Sequence, residues 1–208
     1  RFTDSYPRVL VHSIPVPFSV ERSIVRYGRG EEEMFPFLSE GLGRLEQAGA
    51  DYLAIPCNTV HMFHRRLQGE LRVPLLDILA ETAEECRIRG FLRVGILATG
   101  KTIDAELYQR ALEHAGMEPV VPGADGRETL SDLVFRILAG RTGEEEREVM
   151  RKLAASLADA GAEAAILGCT DLQHLVSPDA RACGDRISRP EDEAAGHTAV
   201  GSPEETAD

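Results

Sequence analysis

Two cysteines 112 residues apart stand in matching settings. Cys57 lies in IPCNTVHMF (55–63) and Cys169 in LGCTDLQHL (167–175). Each follows an apolar run and is itself followed by short polar side chains. Two thiols on opposite sides of a small carboxylate can take a proton from one face of its α-carbon and return one to the other, which inverts that carbon. A thiolate is the reactive form, and placement at a helix N-terminus is expected to lower the thiol pKa from its reference near ~8.5. Asn58-Thr59 and Thr170-Asp171 open the segments after the cysteines and can cap helices or donate to a carboxylate.

A single cysteine after a strand is by default a small core residue. Repetition changes the reading. LEQAGADYLAIPC (45–57) lies over LADAGAEAAILGC (157–169), and both copies end on the thiol. In each a helix closes with Gly, a strand follows, and the cysteine sits where that strand ends. Ligands of open α/β sheets gather at the carboxyl ends of strands. Two such halves facing each other bring Cys57 and Cys169 to opposite walls of one cleft. Cys86, inside AEECRIRG, and Cys183, in a polar tail, have no comparable setting.

The elements that must position this pair follow from pattern. Apolar runs at 8–14, 51–56, 73–78, 93–99, 118–122 and 163–168 read as strands. Amphipathic stretches between them, such as EEEMFPFLSEGLGRLEQAG, ILAETAEECRIRG, DAELYQRALEHAG and GEEEREVMRKLAASLADAG, read as helices. The alternation predicts an α/β fold: two pseudosymmetric domains, each a parallel sheet flanked by helices. Residues 1–91 form the first half with Cys57, 92–180 the second with Cys169, and 181–208 a polar tail expected to be disordered. The second half opens with RVGILATGKTIDAELYQRALEHAG, 76 residues before its cysteine. The same spacing before Cys57 falls upstream of residue 1, so the first half is expected to lack its opening strand.

Composition excludes several classes. The 208 residues carry 23 Lys and Arg against 35 Asp and Glu, a net charge of -12, with no basic patch for nucleic acid. No long apolar run or leader pattern points to a membrane or secretion, so a cytoplasmic location is expected. Four cysteines without a CxxC pair argue for reduced thiols and against a metal site. GRGEEE (28–33) lacks the spacing of a phosphate-binding loop.

PCNTVH (56–61) and LGCTDL (167–172) resemble the paired cysteine motifs of the aspartate/glutamate racemase superfamily, and the first is most similar to its aspartate racemase branch. The resemblance runs from about residue 7 to about residue 176 and includes ERSIVRYGRGE (21–31) and VGILATGKTI (94–103). It implies a cofactor-independent amino-acid racemase, commonly a homodimer, acting on a small dicarboxylic amino acid. Cys57 and Cys169 match the catalytic thiols. Asn58, Thr59 and Thr170 match residues that hold substrate carboxylates. Arg22 matches the arginine that grips the distal carboxylate, and Thr99 and Thr102 match small polar residues near the substrate. Where aspartate racemases carry a lysine upstream of the second cysteine, this chain has Leu138, with Arg136 nearby.

His61 and His174 fall one helical turn after the cysteines and read as partly buried surface residues rather than proton shuttles. Asp171 either orients Cys169 or serves as a first-turn acid. Two other functions fit the same residues: an isomerase or decarboxylase of dicarboxylates, and a non-catalytic homologue that binds a small acid.

Overall fold

A computed structural model describes residues 8–17, 19–20, 23 and 30–176. Arg22, Cys183 and the tail lie outside the described residues. Its sheet has three parallel strands in the order β2-β1-β3: β1 (Arg93–Ala98), β2 (Glu118–Val120) and β3 (Ala164–Gly168). Val94 to Ala98 pair in register with Ala164 to Gly168 on one side, and Arg93 to Gly95 with Glu118 to Val120 on the other. These are three of the six expected strands, and β1 is the central one.

Helices cover both faces, as a parallel sheet requires. On one face Val94, Ile96, Ala98, Ala164 and Ile166 pack against α3 (Ile78–Ile88), α4 (Gly100–Asp104) and α5 (Leu107–His114). Cys86 is fully buried there among core side chains. On the other face Leu97 and Val120 meet α6 (Ala124–Leu138) and α7 (Glu144–Asp159) through Leu130, Leu133, Leu153 and Leu157. The middle strand leaves no room at Gly95, where a Cβ would stand 2.8 Å from Leu157 Cδ1.

The first half is built differently. α1 (Glu31–Gln47) places Met34, Leu38 and Leu42 on one face at four-residue spacing, against Phe63 and Leu67 from the following segment and Leu53 and Leu75 from the loops. α2 (His64–Glu70) is tied to α1 by Arg66, which lies 4.0 Å from the Phe35 ring centroid and bonds both oxygens of Glu32 at 2.8 and 2.9 Å. Here the expected strands 51–56 and 73–78 reduce to one parallel bridge, Leu53 with Leu75. Asp77 ends the second of them early by capping α3, accepting from Leu79 N at 3.0 Å and Ala80 N at 3.5 Å.

The run 8–14 is not a strand. With no ladder partner among the described residues, Val9, Leu10 and Val11 stay exposed at 74%, 52% and 88%. Ile14 instead rests on α1 above Gly41, where any Cβ would stand 2.7 Å from it. The repeat holds at its turns: Gly49 and Gly161, equivalent by sequence, both adopt the left-handed region, with φ of 88° and 90°.

Candidate active site

Cys169 occupies the strand end that the repeat assigns it, whereas Cys57 follows a segment that forms a single bridge in place of a strand. Cys169 follows β3 and directly precedes a 3-10 helix, Thr170–Leu175. Cys57 follows the segment bridged at Leu53 and comes one residue before a 3-10 helix, Thr59–Phe63, whose cap is Asn58. Neither helix carries a side-chain cap hydrogen bond. The capping expected of Asn58-Thr59 and Thr170-Asp171 is therefore absent, because those side chains point to other partners or to solvent.

The expected lowering of the thiol pKa is reversed at Cys169. Burial pushes it up to about 11; the Asp171 backbone pulls it down, while the Asp171 carboxylate and the nearby Cys57 push it further up. A six-residue 3-10 helix contributes too little dipole to outweigh loss of water. The Cys169 thiol donates to Asp171 Oδ2 at 3.6 Å, and Asp171 is also the acid in the first turn of the 3-10 helix, so both readings of that carboxylate hold. Cys57 is half-buried.

The polar residues around Cys57 form two networks reaching across to the second half. Thr59, Thr99 and Thr102 join hydroxyls in a triangle, with Oγ1 separations of 3.3, 3.0 and 3.0 Å. Thr59 and Thr99 are half-buried, and Thr102 has no exposure at all. Thr102 forms the buried third corner of the triangle. Asn58, 4% exposed, accepts at Oδ1 from the Tyr108 hydroxyl at 2.5 Å. Thr170 is exposed at the mouth of the second 3-10 helix.

His61 is more buried than expected, at 5% exposure. Its Nε2 accepts from the Ile78 amide at 3.4 Å, so Nδ1 carries the proton and donates to the Cys57 carbonyl at 2.8 Å. It braces the Cys57 loop against the start of α3. His64 stacks on it with ring centroids 5.9 Å apart and bonds the Leu75 carbonyl at 2.8 Å. His174 is exposed, in keeping with its expected place. Arg136 is held by Glu145 at 2.7 Å, with Glu146 at 3.9 Å, in a bridge between α6 and α7. Tyr108 and His64 carried no sequence signal beyond helical pattern. Among the described residues no group of three His, Cys, Asp or Glu side chains is set to hold a metal ion, and no helix is long and apolar enough to cross a membrane.

A family profile described as Asp/Glu/Hydantoin racemase matches residues 1–198. The chain belongs to that racemase family. It is 30% identical over 171 residues to the broad specificity amino-acid racemase RacX of Bacillus subtilis, covering 82% of this chain and 72% of that one. It is 27% identical over 167 residues to a glutamate racemase of Desulforudis audaxviator, covering 78% of this chain and 60% of that relative. A solved aspartate racemase homologue from Pyrococcus horikoshii superposes with a TM-score of 0.68 at 30% identity, covering 86% of this chain and 77% of that one. Racemase-family membership and the parallel sheet flanked by helices thus agree, and the chain is an enzyme of the isomerase class by kinship.

Proposed function

We propose that this chain racemises a small dicarboxylic amino acid, aspartate or glutamate, without a cofactor, and that Cys57 and Cys169 alternate as base and acid. Residues 1–91 and 92–180 act as the two walls of the cleft. In one direction the Cys57 thiolate takes the α-proton while the Cys169 thiol gives its own proton to the opposite face. Cys57 then holds a proton and Cys169 is the thiolate, ready for the reverse direction. Donors must meet the negative charge that develops on the α-carboxylate. Asn58, Thr59, Thr99 and Thr170 are suited to that by chemistry, and Arg22 to the distal carboxylate through a two-pronged contact. We further propose a homodimer in the cytoplasm, where thiols stay reduced.

The observation that supports this reading most is geometric: each cysteine of the repeat stands just before a 3-10 helix, and Thr59, two residues after Cys57, joins hydroxyls with Thr99 and Thr102 after the central strand. Cys57→Ser and Cys169→Ser should each lower racemisation by about 10²–10⁴-fold, while one enantiomer still exchanges its α-proton with deuterated solvent. Full turnover in either variant would sink the two-base scheme. Chiral chromatography of the reaction mixture measures it, and release of carbon dioxide would instead indicate a decarboxylase.

A broader substrate range is a second reading. The likeness to RacX favours it, as does Leu138, 55% exposed, at the position where aspartate racemases carry a lysine. Arg136 does not substitute, since it is engaged with Glu145. A panel of neutral and acidic amino acids in the same assay separates the two.

A further inference from the structure

Tyr108 lies on α5 with 1% exposure, and the two-thiol scheme assigns it nothing. Its ring covers the backbone just before one cysteine: a methyl group added at Gly168 would stand 3.1 Å from Cε2 and 3.3 Å from Cδ2. Its hydroxyl donates to Oδ1 of Asn58, the residue just after the other cysteine. One rigid phenol therefore runs from the neighbour of Cys169 to the neighbour of Cys57. For packing alone a phenylalanine would serve better, because a buried hydroxyl is costly unless it is bonded. The bond also fixes Asn58: with Oδ1 accepting, Nδ2 remains the donor end of the amide.

We propose that Tyr108 is a positioning residue, which sets the Asn58 amide with its N–H toward the substrate carboxylate and holds the Cys57 loop against the Cys169 loop. This rests on the reading of Asn58 as a carboxylate donor beside a catalytic thiol. Tyr108→Phe keeps the ring over Gly168 and removes only the hydroxyl, so folding is retained. The test is a double-mutant cycle with Asn58→Ala on the full chain. One measurement is the rate at which iodoacetamide alkylates Cys57, followed by peptide mass spectrometry and independent of turnover. The other is the kinetics with aspartate and glutamate.

The expected result is that Tyr108→Phe alters Cys57 alkylation severalfold and lowers kcat/KM about tenfold, the size of one ordinary hydrogen bond, with part of the loss in kcat. Neither effect should appear on top of Asn58→Ala. Equal effects in both backgrounds, or no effect on alkylation, would overturn the proposal. If the unsubstituted chain turns over none of these amino acids, the racemase reading fails, and the alkylation cycle alone decides the role of Tyr108.

Discussion

At the scale of single residues, the two thiols are not equivalent. Cys169 is buried, donates to Asp171, and has its pKa pushed up to about 11, whereas Cys57 is half-buried. A two-base reaction needs one proton on the pair, and a thiol with a raised pKa keeps that proton far into alkali. Once corrected for loss of the substrate's own ammonium proton, the kcat/KM of the unsubstituted protein should therefore hold to about pH 10 and decline only near the value of Cys169. Because the equilibrium constant of a racemisation is one, both enantiomers must give the same profile. Asp171→Asn removes the carboxylate charge that disfavours the thiolate, so the alkaline decline should move to lower pH. Profiles for both enantiomers, recorded from pH 6 to pH 11.5, check this, and a decline centred near ~8.5, the ordinary thiol value, would contradict it. The matching placement of both cysteines before a 3-10 helix was legible in the sequence, because both copies of the repeat end on them. Their ionisation was not, since burial depends on what α6 and α7 bring over the end of β3.

At the scale of elements, legibility followed the ladders. β1, β2 and β3 were read within two residues, because each has a partner strand and apolar side chains on at least one covered face. Runs of the same composition at 8–14, 51–56 and 73–78 do not become strands, because strand formation needs a neighbour as well as an apolar pattern. α6 has no helical signature in the sequence, because ADGRETLSD opens it with few apolar residues and its buried side begins only at Leu130. One position binds these elements to the site. Gly168 lies where a Cβ would stand 2.7 Å from the Ala98 Cβ across the β1–β3 ladder and 3.1 Å from Tyr108. Gly168→Ala should destabilise the fold by about 1–3 kcal/mol through overpacking. Denaturant titration measures it, and a stability equal to that of the unsubstituted protein would show that the ladder has slack.

At the scale of the whole molecule, order is unevenly spread. The second half carries the sheet and two apolar clusters, one on each face. The first half has a third cluster, centred on α1 and α2, held to backbone hydrogen bonding by one bridge. Hydrogen exchange should follow that division: amides of 93–98 and 164–168 are expected to exchange more slowly than those of 8–17 and 51–57. Peptide-level mass spectrometry measures the difference, and equal protection would mean that the first half is as tightly held as the second. Sequence could not supply this contrast. The two halves are alike where they carry the cysteines and unlike in the strands around them.

The threonine triangle has a consequence for a catalyst that must accept mirror-image substrates. Three hydroxyls in a closed loop each give one hydrogen and take one, so the loop can run clockwise or anticlockwise. Reversal requires only rotation about three C–O bonds, with every heavy atom at rest. An incoming carboxylate that draws a hydrogen from either Thr59 or Thr99 finds the remaining two members still joined. On the reading proposed above, the triangle would give its hydrogen to a substrate carboxylate from either corner while the backbone around it stays still.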